Sequence, residues 1–270
     1  MVTAQCVKDS FRYSFALSEE TFEIQGVSVE IWHDQDVSNP YLDCDVMAPA
    51  LWLHPDRYGG RIDEFGGYDL EAFFWKVSPA WVSRHWRAIA AILDLTESDV
   101  ESDCRDTLAS YGGGMSETRR EYFSERLFEM KDTTWNAGTD YLEVLASLYR
   151  LAGIPADTFD ITGYCQGDVA RGLIVHLPAW REKVGCPAHD AEALKRDMQG
   201  DADHYEAWVW GSCYGFTVDD NDSCGGFYGF DVDHVAGEVA DAVNRVLEAR
   251  AAQEACAMQA ARPDLAPAYT

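Results

Sequence analysis

The stretch from Phe159 to Asp231 constrains this chain most. It reads FDITGYCQGDVARGLIVHLPAW, then a polar insert, then YEAWVWGSCYGFTVDDNDSCGGFYGFD. Aromatic and β-branched residues alternate with small or polar ones, and glycines recur between them, which is the period-two pattern of half-buried strands joined by tight turns. The pattern predicts two hairpins in one sheet. Gln166-Gly167-Asp168 would turn the first and Asp219-Asp220-Asn221-Asp222 the second, because short polar side chains tolerate left-handed backbone and bond their own main chain. On the alternation, Trp208 and Trp210 belong to one strand and one face.

The flanking sequence changes period. Thr21 to Val37 predicts a strand bent at Gly26, and Ala48 to His54 a second, short one. Ser78 is an N-cap followed by Pro79, with Val82, Trp86, Ile89 and Leu93 on one helical face. Ser116 opens another helix with Tyr122, Phe123, Leu127 and Met130 inward, and Thr139 opens a third that stops at Gly153 and Pro155. A helix from about Asp190 to Gln199 separates the hairpins, and Val235, Val239, Val243, Val246 and Leu247 mark a last one. Residues 1 to 12 read as a loosely held arm. Strands cluster rather than alternate with helices, so the fold class is α+β: an antiparallel sheet of hairpins packed against several amphipathic helices. The Gly112-Gly113-Gly114 break divides residues 1–110 from residues 111–270, two regions of one composite domain.

Charge is the most unusual global property, with 47 acidic against 21 basic residues and a net charge of -26. Such a balance argues against binding nucleic-acid backbone directly, which needs cations to displace counterions, and against anionic membrane surfaces. The acids concentrate in two windows that hold no Lys or Arg, one between Arg12 and Arg57 and one between Arg196 and Arg245. Spread evenly, the charge is several-fold more dilute than that of a duplex, roughly one per 450 Å² against one per 100 Å². Imitating DNA therefore requires the two windows to lie side by side. Candidate binding residues are Asp34 and Asp36 from the first window and Asp219, Asp220, Asp222, Asp231 and Asp233 from the second.

The eight cysteines form no CxxC pair, and with no signal peptide or apolar span of membrane length the chain reads as a cytoplasmic protein with reduced thiols. Cys213 and Cys224 would face each other across the second hairpin. Cys186 and His189 have the spacing of half a zinc site without a second half nearby, so neither a metal nor a cofactor is implied. Asp34, Asp36, Asn39, Asp43 and Asp45 lack the glycine and terminal glutamate of a calcium loop, and a capped turn explains them better. The aromatics from Trp208 to Phe230 read as core, since acids around them repel phosphate. His33, His54, Asp56 and Arg57 flank strands and could meet Asp168, with Cys165 as a nucleophile; histidines bonded to backbone at strand ends are the plainer alternative.

The segments VEIWHDQDVSNPYLD, LHPDRYGG, YLEVLASLYRLAGIP, ITGYCQGDVARGLIV and EAWVWGSCYGFTVDDNDSCGGFYG resemble a family of uncharacterised proteins encoded by bacteriophages and other mobile elements. The pattern of that family has a serine where this chain has Cys165 and a tryptophan where it has Gly225. The resemblance implies an accessory role in the cytoplasm of a bacterial host, and a convergence of the motifs that carry His54, Arg57 and Asp168. Two functions remain open, beside a third reading in which the acids are a solvated shell with no partner. One is an acidic, anti-restriction-like DNA mimic that occupies the basic face of a host nucleic-acid-binding or defence protein. The other is a small, possibly metal-assisted enzyme built on His54, Asp168, Cys165 and Arg57. Oligomeric state is open as well.

Overall fold

The computed structural model describes residues 1–11, 19–43, 46–54, 61–137, 141–164, 168–186, 190–219, 222–229 and 232–260; at 19, 43, 61, 132–137, 162–164, 168, 169, 232–234 and 260 only the backbone is described. In chain order the elements are α1 (Ala4–Ser10), β1 (Glu19–Ile24), β2 (Val27–His33), α2 (Pro40–Asp43), β3 (Ala50–His54), β4 (Arg61–Phe65), a 3-10 turn (Leu70–Ala72), α3 (Phe73–Lys76), α4 (Pro79–Ile92), α5 (Glu97–Tyr111), α6 (Met115–Ala137), α7 (Tyr141–Leu151), β5 (Ala156–Tyr164), β6 (Asp168–Val175), α8 (Pro178–Val184), α9 (Ala191–Val209), β7 (Cys213–Val218), β8 (Asp222–Tyr228) and α10 (Val232–Ala260). The fold is α+β with two antiparallel four-stranded sheets, ordered β1-β2-β7-β8 and β4-β3-β6-β5. No helix among the described residues is long and apolar enough to cross a membrane.

The two expected hairpins form, but in different sheets: β5 pairs with β6 in one, and β7 with β8 in the other. Each hairpin finds its central neighbour elsewhere in the chain. β3 supplies it for the first hairpin and β2 for the second. Accordingly the chain divides into two units, Met1–Asn39 with Ala207–Thr270, and Pro40–Glu206. The glycine break falls within the second unit, where Gly112 follows α5 with φ 72°.

In the first unit the expected single strand is a hairpin. Gln25 and Gly26 have φ of 53° and 75°, the two left-handed positions of a type I′ turn, so the chain reverses where a bend was expected. Val27, Val29 and Ile31 of β2, with Phe216 and Val218 of β7, face Val235, Val239 and Val243 of α10, and all are buried. Residues 2–10 are no loose arm. The side chain of Thr3 caps α1, Val2 and Val7 are buried in the same core, and the Asn244 amide accepts from Val2 N at 2.7 Å and donates to Val2 O at 2.9 Å. Cys213 and Cys224 do not face each other, since Cys213 stands opposite Tyr228 and Cys224 opposite Phe216.

In the second unit β3 is buried along its whole length, as a central strand covered on both faces must be. The Ser78 hydroxyl accepts from Trp81 N, and Val82, Trp86, Ile89 and Leu93 are buried as their spacing predicts. Ser116 is no cap: α6 starts at Met115, and the Ser116 hydroxyl meets that of Ser83 at 2.9 Å. Gly153 ends α7 at φ 75°, with Ile154 N bonded to Tyr149 O and Gly153 N to Arg150 O, the paired bonds of a Schellman stop. Thr139 lies outside the described residues. The acidic run after Thr96 is α5, capped by the Thr96 side chain. The helix expected to end at Gln199 continues to Val209, so Trp208 is helical and Trp210 lies past its end; they share no strand. Leu194, Met198, Ala202 and Tyr205 are its buried stripe.

Candidate functional site

In the second unit the face of β3 that carries Trp52 and His54 gathers the titratable groups. Trp52 lies opposite Asp63 of β4 and Gly172 of β6. A Cβ at Gly172 would sit 2.5 Å from the indole, so only glycine lets the ring lie flat on the sheet. Tyr205 of α9 covers it at a centroid distance of 4.5 Å, and Tyr41 and Phe65 stack beside it at 4.8 Å from each other. His54 is buried beneath these rings, its Nε2 lying 3.1 Å from the Tyr205 hydroxyl and 3.4 Å from Asp63 Oδ2.

Asp201 lies one helical turn before Tyr205. Its Oδ2 accepts from Ala48 N at 2.9 Å. Burial pushes its carboxyl up to about 6, the Ala48 hydrogen bond pulls the other way, and the charge of Asp197 adds to the rise. Burial also holds the Tyr41 hydroxyl far above its usual range, and Asp201 and Tyr205 reinforce that. A histidine touching a phenol and a carboxylate can relay a proton, and a carboxyl near 6 is in the range of general acids.

Of the expected catalytic set, His54 is in this cluster. Asp168 begins β6, and continuing the β3–β6 register by one residue places His54 beside Ala170, at the Asp168 end of the sheet. The Asp168 side chain is not among those described, and Cys165 and Arg57 lie outside the described residues. His33 belongs to β2 in the first unit, where its Nε2 bonds Gly211 O. Asp63, Tyr205, Asp201 and Tyr41 were not foreseen. The Asp201–Tyr205 spacing of four within a helical stripe was the available signal. Among the described residues no group of three His, Cys, Asp or Glu side chains could hold a metal ion.

The acidic candidates lie in the first unit. Asp222 pairs with Arg245 at 2.8 Å and Asp219 with Arg250, both arginines reaching from α10, and Asp219 Oδ1 also accepts from Ser28 N. These two acids are thus paired, because the helix that follows the window supplies cations the window lacks. Asp34 accepts from Asp36 N and Gly226 N, which makes it the cap of a turn. Asp220 and Asp231 lie outside the described residues, as does the Asp233 side chain. Glu23, Glu30 and Asp36 make no ion pair among the described residues, and Glu23 and Asp36 are exposed.

The outer face of this sheet carries the second flat tryptophan. Trp32 lies across Gly215 and Gly225, where an added Cβ would come within 2.3 Å and 3.0 Å of the ring, and its Nε1 donates to the Thr217 hydroxyl at 3.1 Å. At Gly225 the Trp32 ring and Asp34 occupy the space a side chain would need. Comparison of the chain with protein-family models, with curated proteins and with solved structures found no match.

Proposed function

We propose that the protein works by binding: the first unit is an acidic recognition module for the basic, nucleic-acid-binding face of a protein partner. In the mobile-element setting the resemblance implies, that partner is a host defence factor and the acidic face stands in for DNA. The observation that carries the reading is the pairing of β2 with β7. It joins β1 and β2 from the first acid-only window to β7 and β8 from the second in one sheet. That pairing brings parts of both windows into one sheet, which supports the reading. Met1–Asn39 and Ala207–Thr270 hold 17 acidic and 5 basic residues, a denser excess than the 30 and 16 of Pro40–Glu206. With Asp219 and Asp222 paired to α10, the acids on the β1–β2 side that make no ion pair among the described residues include Glu23, Glu30 and Asp36. The test is capture from bacterial lysate at low and high salt, followed by competition with duplex DNA. A partner that binds DNA itself, and is released by salt and by DNA, supports the reading; partners indifferent to both contradict it.

The second unit supports an alternative, acid–base catalysis at His54, favoured by the raised carboxyl of Asp201 close to Tyr41 and Tyr205. Hydrolysis of small ester, amide or phosphoester probes that vanishes in His54→Gln and falls in Tyr205→Phe would establish it. Equal turnover in both variants would dismiss it.

A further inference from the structure

We propose that Trp32 is the floor of a subsite for the guanidinium group of an arginine side chain on a basic polypeptide. The proposal deepens the partner-binding reading and rests on it for the source of the arginine. The argument starts from a comparison within the molecule. Both sheets hold a tryptophan flat on glycine, Trp52 on Gly172 and Trp32 on Gly215 and Gly225. Over Trp52 the stacking position is filled by Tyr205. Over Trp32 no ring stacks among the described residues, and of the described residues around it Thr21, Glu23, Ser28, Ser223, Gly225 and Gly226 are exposed, and Trp32 is partly so.

The neighbours of the indole decide what fits there. Along β2 the outer face runs Ser28, Glu30, Trp32, continued by Asp34, with side chains on one face recurring about every 7 Å. The ring is thus bracketed by two carboxylates. Asp34 Oδ2 and the indole edge both crowd the place of a Cβ on Gly225, at 2.6 Å and 3.0 Å. The one polar atom of the ring, Nε1, is already bonded to Thr217, so a ligand meets only the π face. An electron-rich face flanked by carboxylates attracts a cation and repels phosphate or carboxylate. A guanidinium matches it better than an ammonium, because it is planar, stacks on indole, and still presents N–H groups at its rim for Glu30 and Asp34. The glycines and the Thr217 bond hold the ring in place beforehand, so little ordering is lost on binding.

The test uses the whole protein with a blocked pentaarginine peptide as probe, followed through the ¹⁵N indole resonances, with Trp32 identified by the signal lost in Trp32→Phe. The Trp32 signal should shift saturably with the peptide. It should not move with the isosteric citrulline peptide, and it should shift at higher concentration with pentalysine. Glu30→Gln combined with Asp34→Asn, which keeps an acceptor for Gly226 N, should weaken binding on the order of tenfold. A Trp32 signal unmoved by pentaarginine, or moved equally by citrulline, overturns the subsite. If it stays unmoved while a basic protein is still captured in a salt-sensitive way, the subsite fails and the partner reading stands. Saturable binding of the peptide with no captured partner establishes the subsite alone.

Discussion

Arg245 of α10 reaches back to Asp222 at the start of β8, 2.8 Å from guanidinium nitrogen to carboxylate oxygen, and five residues on Arg250 does the same for Asp219 across the hairpin turn. The acid-only window is therefore closed by its own C-terminal neighbour. Reversing this turn with Asp219→Lys and Asp222→Lys sets lysines against both arginines and removes the acceptor of Ser28 N. The pairs are largely solvent-screened, so the expected loss is modest, read as a slightly lower urea midpoint. An unchanged midpoint would mean the pairs hold nothing.

The tryptophan cradles predict an asymmetry. Trp52 is clamped between Gly172 and Tyr205, so Gly172→Ala has no room to relax and should cost about 2–3 kcal/mol. Gly215→Ala meets a ring with an open side, which can swing outward at a cost of about 1 kcal/mol while spoiling the flat surface. Paired denaturation curves check this, and equal costs would contradict it.

Much of the helical half of the fold was legible, because caps and stripes are local. Ser78 before Pro79, and Gly153 before Pro155, each set a helix end through bonds within one turn. Sheet membership was not legible. The β5–β6 hairpin and the β7–β8 hairpin look alike in sequence, and what separates them is pairing to β3 and β2, more than a hundred residues upstream. Gly26 misled because a glycine between apolar runs suits a bend as well as a two-residue turn, and only the φ of Gln25 decides. Trp208 misled because alternating aromatics over four residues fit a strand, while the stripe from Leu194 to Tyr205 needed a longer window. His54 was visible as a candidate; Asp63 and Tyr205, which hold it, came from a strand that was missed and a helix that was cut short.

Asp201 gives a pH signature. Its carboxyl is raised in the folded protein from the ordinary 3.8 to about 6. Between those values the folded state holds a proton that the unfolded state releases, so stability falls as pH rises through this range and then levels off. Asp201→Asn, which can still accept from Ala48 N, should remove that slope and stabilise the protein at pH 7 by about 2–3 kcal/mol. Denaturation at pH 4.5 and pH 7 measures it. A variant less stable than wild type at pH 7 would refute the assignment.

Asn244 bonds both backbone groups of Val2, so Asn244→Ala should release the first turn of the chain from α10. The expected cost is about 1–2 kcal/mol. The sharper readout is hydrogen exchange at Val7 and Phe11, whose amides are bonded within α1. Their protection should drop while that of β7 stays, and unchanged protection would show that the apolar burial of Val2 and Val7 anchors the segment without Asn244.

The most direct test of the partner reading is the salt dependence of affinity for the captured basic protein, measured with wild type and with Glu23→Gln, Glu30→Gln and Asp36→Asn combined. These acids make no ion pair among the described residues, so the fold should tolerate their neutralisation. The reading predicts that affinity falls steeply as salt rises, that the variant binds at least tenfold more weakly at low salt, and that the difference shrinks as screening increases. Equal affinities at every salt concentration would contradict it.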